Sequence, residues 1–278
     1  MKKRTVKKLM AIGLSAAMAL GMNATVFAAD SSDSDSVKGS LEGVKLSFGT
    51  TALFAPFTYY DTDGTTLIGF DLDLMNALKD YLGFELDGDI QVMDYSALTT
   101  SLSEGKVDFG MAALCATDER KEVMSFTDTY RDSGQVVMIN SETSPSEITD
   151  IDSLIAGDYK IAVEKGTASH LYCTNNGVSD DRLEVHDTIT TAYESLEQGK
   201  VDAVIQDGPN AYYYIKTTDG TKLEVVGDEF NQGQAPYAIA VSNDCVAAND
   251  GILDKFNQAI KDLTDDGTID ELVKEWLE

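Results

Sequence analysis

Histidine is almost missing from this chain, with two among 278 residues, and cysteine is scarce, with three placed far apart at Cys115, Cys173 and Cys245. With no C-x-x-C pair and so few imidazoles, a structural zinc site lacks ligands, and the spacing names no disulfide. Basic residues are few as well: 21 Lys and Arg stand against 48 Asp and Glu. A surface of that sign repels nucleic acid and anionic membrane, so neither is expected as a partner. The longest apolar run, at 9–22, covers about 14 residues, short of the roughly 20 that a bilayer span needs.

That run sits where a secretory leader would. Residues 1–8 carry five positive charges, and Val26-Phe27-Ala28 puts small residues at the −3 and −1 positions of a cleavage site. Residues 1–28 therefore read as a signal peptide without a lipoprotein cysteine, and the mature chain is expected outside the cytoplasm, in the periplasm or at the cell surface. Cleavage removes five of the 21 basic residues and no acidic ones, leaving 16 against 48 and a formal charge of −32. Residues 29–40, rich in Ser and Asp, read as a flexible linker. About 250 residues remain, enough for one large domain or two lobes.

From Val44 onward, short apolar runs trade places with helical patterns. Strands are expected over 44–50, 90–93 and 107–114, and helices over 71–82 and 95–103, so the chain opens as α/β. A repeat then divides it: "SLSEGKVD" at 101–108 returns as "SLEQGKVD" at 195–202, each closing a helix and opening an apolar strand. Two similar α/β lobes follow. Ligands of open α/β sheets gather beyond the carboxyl ends of the strands. There the first copy runs out through "FGMAAL" to Cys115, Thr117 and Arg120, and the second through "AVIQ" to Asp207.

Arg120 falls in the first turn of a helix that Thr117 would cap, an end that already favours anions. Alone, it has a bland alternative in a surface pair with Asp118 or Glu122, and Asp207 has one as a turn residue before Gly208-Pro209. Together, a guanidinium for a carboxylate and a carboxylate for an ammonium describe a receptor for a zwitterion, the simplest being a free α-amino acid. Phe54 and Phe57 read as core as readily as pocket. Asp61-Thr62-Asp63-Gly64 reads as a hairpin turn, since the glutamate that closes a calcium loop is absent. His170 and Cys173, one helical turn apart, have no further ligands.

Seven fragments in order carry a family resemblance: "APFTYYDTDGTTLIGFDLDLMNAL", "MDYSAL", "GKVDFGMAALCATDERKEVMSFTDTYRDSGQVVM", "IAVEKGTAS", "GKVDAVIQDGPNAYYYIK", "VVGDEF" and "DDGTIDELVKEW". The chain resembles the family 3 extracytoplasmic solute-binding proteins of polar amino acid ABC importers, especially the glutamine-binding branch. The resemblance implies a type II periplasmic-binding-protein fold of class α/β, with two lobes joined by two hinge strands. Residues 41–135 and 238–278 would form the first lobe and 136–237 the second, with hinges at 136–139 and 236–241. It implies that Arg120 clamps the ligand α-carboxylate and Asp207 the α-ammonium, and that Phe54 and Tyr95 sandwich the ligand. Ala113 would offer backbone. Cys115, where a hydroxyl is usual, and Ala168 would meet the carboxylate, and Thr51, Glu164 and Gln206 the side chain. No metal or cofactor is implied. The implied partners are the permease and ATPase subunits of an importer, served by a monomer. The implied ligand is a polar neutral amino acid, glutamine first and a cationic one second. Two other readings remain: a dehydratase on the same fold with Glu164 as general acid, and a sensor module of a membrane receptor.

Overall fold

Each copy of the repeat ends a helix and begins the third strand of a five-stranded sheet. In the first sheet the order is Gln91–Val92, Phe48–Thr50, Phe109–Gly110, Tyr237–Val241, Ser125–Arg131. In the second it is Leu183–His186, Ile161–Glu164, Ala203–Asp207, Gln135–Asn140, Leu223–Phe230. Both run three parallel strands and then two antiparallel pairings. These sheets are the cores of the two lobes of an α/β type II binding-protein fold. The computed structural model describes residues 36–234 and 236–278, so the expected signal peptide and the linker up to residue 35 lie outside the described residues.

The repeat does the same local work twice. Gly105 (φ 68°) and Gly199 (φ 63°) take the left-handed conformation that ends the helices Tyr95–Ser103 and Ile189–Glu197, where any Cβ would be strained. The next residue turns back: Lys106 N–H donates to the Ser101 carbonyl and Lys200 N–H to that of Ser195, both at 2.9 Å. The closing aspartate then anchors the neighbouring strand. Asp108 accepts from Ser47 N–H at 2.7 Å and Asp202 from Lys160 N–H at 2.8 Å.

Strand Gln135–Asn140 is buried at all six positions, as expected where helices cover both faces of a sheet. Its side chains alternate: Val137 and Ile139 join Ile161, Val163, Ala203 and Ile205 in one core, while Val136 and Met138 join Ala162 and Val204 in the other. In the first sheet Phe48 and Phe109 pack at 4.9 Å between ring centroids, with Phe84 edge-on to Phe109 and Phe256 tilted against it at 5.8 Å. The C-terminal helices Ile252–Asp265 and Thr268–Trp276 lie against helix Phe70–Leu82, tied by Tyr81 to Asp262 at 2.6 Å and Trp276 to Asp73 at 2.9 Å.

The expected hinge segments 136–139 and 236–241 lie, apart from Pro236, in the strands Gln135–Asn140 and Tyr237–Val241, each of which pairs with a strand on either side. Two expectations need correction. The strand expected over 107–114 keeps only Phe109–Gly110 in the ladder, because Ala113 turns out of it at φ 49°. The linker ends before residue 40: Gly39 and Leu41 donate to the Tyr81 and Leu82 carbonyls at 2.9 Å, docking Leu41 in the core.

Candidate functional site

The carboxyl ends of the two repeated strands face each other, and their side chains meet. Arg120, in the short helix Asp118–Lys121 capped by Thr117, is 7% exposed. Its guanidinium donates at 2.6 Å to the Cys115 carbonyl in the first lobe and at 2.6 Å to the Gly166 carbonyl in the second. It also lies 5.1 Å from the centroid of the Tyr95 ring, within cation–π range. A buried cation held by two carbonyls keeps its charge uncompensated, which suits an incoming carboxylate.

Asp207 ends strand Ala203–Asp207, buried, and its oxygens accept from Gln135 Nε2 and the Tyr237 hydroxyl, both at 2.8 Å. Burial pushes its carboxyl above the ordinary range, opposed by those two hydrogen bonds. Cys115 Sγ lies 4.0 Å from Asp207 Oδ2 and 3.9 Å from the Ala113 carbonyl oxygen. Its thiol therefore lies between the two charged groups, close to Asp207 and within the influence of the Arg120 guanidinium. Burial holds that thiol well above its usual range, so it is a neutral weak donor.

Ala113 adopts φ 49°, a conformation costly for a residue with a Cβ and held only where surroundings impose it. The imposing group is Asp71. This wholly buried carboxylate accepts from Ala113 N–H at 2.7 Å and from the Tyr130 hydroxyl at 2.9 Å. Burial raises it to about 6 despite those bonds. Asp71 was missed in the sequence, yet it sits on the apolar stripe of helix Phe70–Leu82 with Leu74, Met75, Leu78 and Leu82, where an acid has no packing role.

Beside the Arg120–Asp207 pair opens a cavity of about 270 Å³ lined by Thr51, Phe54, Tyr60, Asp94, Tyr95 and Glu164, among others. Glu164 ends strand Ile161–Glu164, is 7% exposed, and its Oε2 is buried with no hydrogen-bond partner. Burial first, then the charges of Asp207 and Asp94, raise its carboxyl to about 8. Asp94, exposed at the N-cap position of helix Tyr95–Ser103, is a second carboxylate that sequence reasoning did not select. Lys and Arg are absent from the lining.

The other expected positions divide. Thr51 lines the cavity with its hydroxyl 3.1 Å from that of Thr58. Gln206 does not line it: neighbours on a strand face opposite ways, so with Asp207 turned to the site, Gln206 donates to Asn210 at 3.2 Å. Asn210 in turn bonds the Ala55 carbonyl at 2.6 Å, joining the lobes. Ala168 opens helix Ala168–Asn175 and lines a second cavity of about 440 Å³ with Ala116 and Thr117. His170 accepts from Gly166 N–H at 3.0 Å, so its ring fixes the turn whose carbonyl holds Arg120. Asp63 is engaged by Thr65 and Thr66 N–H at 2.7 and 2.8 Å, as a hairpin turn requires.

Comparison with known proteins adds relatives to this geometry. Residues 46–278 match the profile of the bacterial extracellular solute-binding proteins, family 3. The chain is 28% identical over 249 residues to the arginine-binding extracellular protein ArtP of Bacillus subtilis, covering 90% of this chain and 91% of that one. It is 26% identical over 251 residues to the glutamine-binding protein GlnH of the same organism, covering 90% and 87%. Among solved structures, it is similar to an ancestral arginine-binding protein bound to arginine, with TM-score 0.73, 31% identity, and coverage of 84% of this chain and 98% of that one.

Proposed function

The chain belongs to the bacterial extracellular solute-binding proteins, family 3, and from that premise we propose that it captures a free L-amino acid with a cationic side chain for an ABC importer. The lobes are 41–135 with 238–278, and 136–237, closing about hinges at 136–139 and 236–241. Arg120 takes the α-carboxylate, joined by backbone N–H groups at Cys115 and at Ala168, the first residue of its helix. Asp207 and the Ala113 carbonyl take the α-ammonium. Phe54 and Tyr95 hold the stem of the side chain, which points at Glu164 past Thr51. A permease and an ATPase receive the loaded protein, which works outside the cytoplasm as a monomer.

The observation that carries the choice of side chain is Glu164 Oε2, buried and without a partner, in a cavity that Asp94 also lines. Leaving a buried acceptor unpaired costs about 1–3 kcal/mol, and a guanidinium or ammonium placed there satisfies it as an ion pair. This puts cationic ligands ahead of glutamine, the reverse of the order the resemblance implies. Glutamine keeps a claim through one feature: a carboxyl raised to about 8 is largely protonated near neutrality, and a neutral carboxyl pairs with an amide. A thermal-shift panel of the twenty amino acids decides between them. A ligand at 100 times its Kd stabilises by about 2.7 kcal/mol, so arginine and lysine are expected to raise the midpoint most and glutamate not at all. Glutamate matching arginine removes Glu164 from the pocket.

A further inference from the structure

The cavity beside Glu164 is apolar where it meets solvent. Leu53, Tyr60 and Val92 all line it, and they are 50%, 40% and 39% exposed. These are three of the six large hydrophobic side chains exposed among the described residues. Scattered exposed hydrophobics need no explanation, but three gathered on one pocket mark a surface meant to be covered. The buried rings of Phe54 and Tyr95 line it too, with Met93.

Size and hydrogen-bond capacity point the same way. Arg120 and Asp207 do not line the cavity, so its 270 Å³ serve the side chain alone. That approaches the roughly 300 Å³ at which cavities begin to take drug-sized ligands, more than a short stem and one cationic head fill. Acceptors are few. The Thr51 hydroxyl already shares a hydrogen bond with that of Thr58, and the Thr188 hydroxyl already accepts from Thr191 N–H, so each has part of its capacity spent. Glu164 Oε2 and the exposed Asp94 are the charged acceptors. An unmodified lysine head brings three N–H donors and a guanidinium five, and donors buried without acceptors are costly.

We propose that the site is built for a basic amino acid methylated on its side-chain nitrogen, a methyllysine or methylarginine. Such a head keeps the charge that Glu164 and Asp94 attract, replaces surplus N–H donors with methyl groups, and sets those groups against Leu53, Tyr60 and Val92. Aromatic rings attract alkylated cations through their faces, and Phe54 and Tyr60 line the cavity beside Tyr95, whose ring already lies 5.1 Å from Arg120. This rests on the reading of the cavity as the side-chain end of an amino acid site.

Calorimetry on the protein tests it with L-lysine, Nε-trimethyl-L-lysine, L-arginine and asymmetric Nω-dimethyl-L-arginine. Each buried methyl is worth about fourfold in affinity, so at least one methylated ligand is expected to bind tenfold or more tighter than its parent. In Leu53→Ser and Val92→Ser, the methylated ligand is expected to lose at least fivefold more affinity than the parent. Parents binding as tightly as, or tighter than, their methylated forms overturn the inference while leaving the cationic site in place. Loss of binding for all four, with glutamine still bound, overturns both.

Discussion

A cationic ligand entering this cavity should expel a proton from the protein. In the ligand-free chain burial pushes the Glu164 carboxyl from an ordinary 4.5 up to about 8, so it is largely protonated at pH 7. The cause is physical: burial, with Asp207 and Asp94 nearby and no hydrogen bond to Oε2. A guanidinium or ammonium beside that oxygen reverses the balance and favours the carboxylate. Calorimetric titration of arginine at pH 7, in buffers of different ionisation enthalpy, should therefore report close to one proton released per ligand from this group. Affinity should rise as pH climbs from 6 to 8, by up to tenfold per unit. Asp207 is also raised, but it meets the α-ammonium of any amino acid. The difference between arginine and glutamine therefore isolates Glu164, and Glu164→Gln should erase that difference. If arginine and glutamine release equal numbers of protons, and arginine affinity is flat from pH 6 to 8, the side chain does not meet Glu164.

The remaining predictions use simpler readouts. Arg120→Ala should weaken binding by about 2–5 kcal/mol, because it strands the ligand carboxylate, while circular dichroism stays unchanged; calorimetric affinity within threefold of the parent refutes the clamp. Asp71→Ala should cost about 1–3 kcal/mol in urea unfolding by leaving the Ala113 N–H and the Tyr130 hydroxyl unpaired, and should weaken binding by releasing the Ala113 backbone; a stable variant with intact affinity contradicts that role. The ligand-free chain should lose stability as pH rises. Carboxyls raised on folding contribute fully below their ordinary values, and Glu164, raised to about 8, and Asp71, raised to about 6, lose that contribution as pH climbs through those values. For Glu164 the loss is at most roughly 5 kcal/mol, and a thermal midpoint that climbs between pH 5.5 and 8.5 refutes the account.

What could be read from the sequence follows from how local each signal is. The repeat marked equivalent strands in two sheets because its glycine, lysine and aspartate each act within or next to their own turn. Arg120 and Asp207 were legible because strand ends gather ligands whatever the rest of the chain does. Asp71 was legible in principle, as an acid on an apolar stripe, but its partner Ala113 lies 42 positions away. That Glu164 and Asp94 line one cavity depends on how the two lobes meet, which no window of sequence contains, whereas the turning of Gln206 away from it follows from strand alternation beside Asp207, a local signal.

Blocking either end of the zwitterion tests the central claim most directly. With calorimetry on the protein, L-arginine should bind in one-to-one stoichiometry, while Nα-acetyl-L-arginine and L-arginine methyl ester should each bind at least a hundredfold more weakly. The first loses the charge that Asp207 meets and the second the charge that Arg120 meets. Blocked and free forms binding alike would show that the ligand is not held as an amino acid between Arg120 and Asp207.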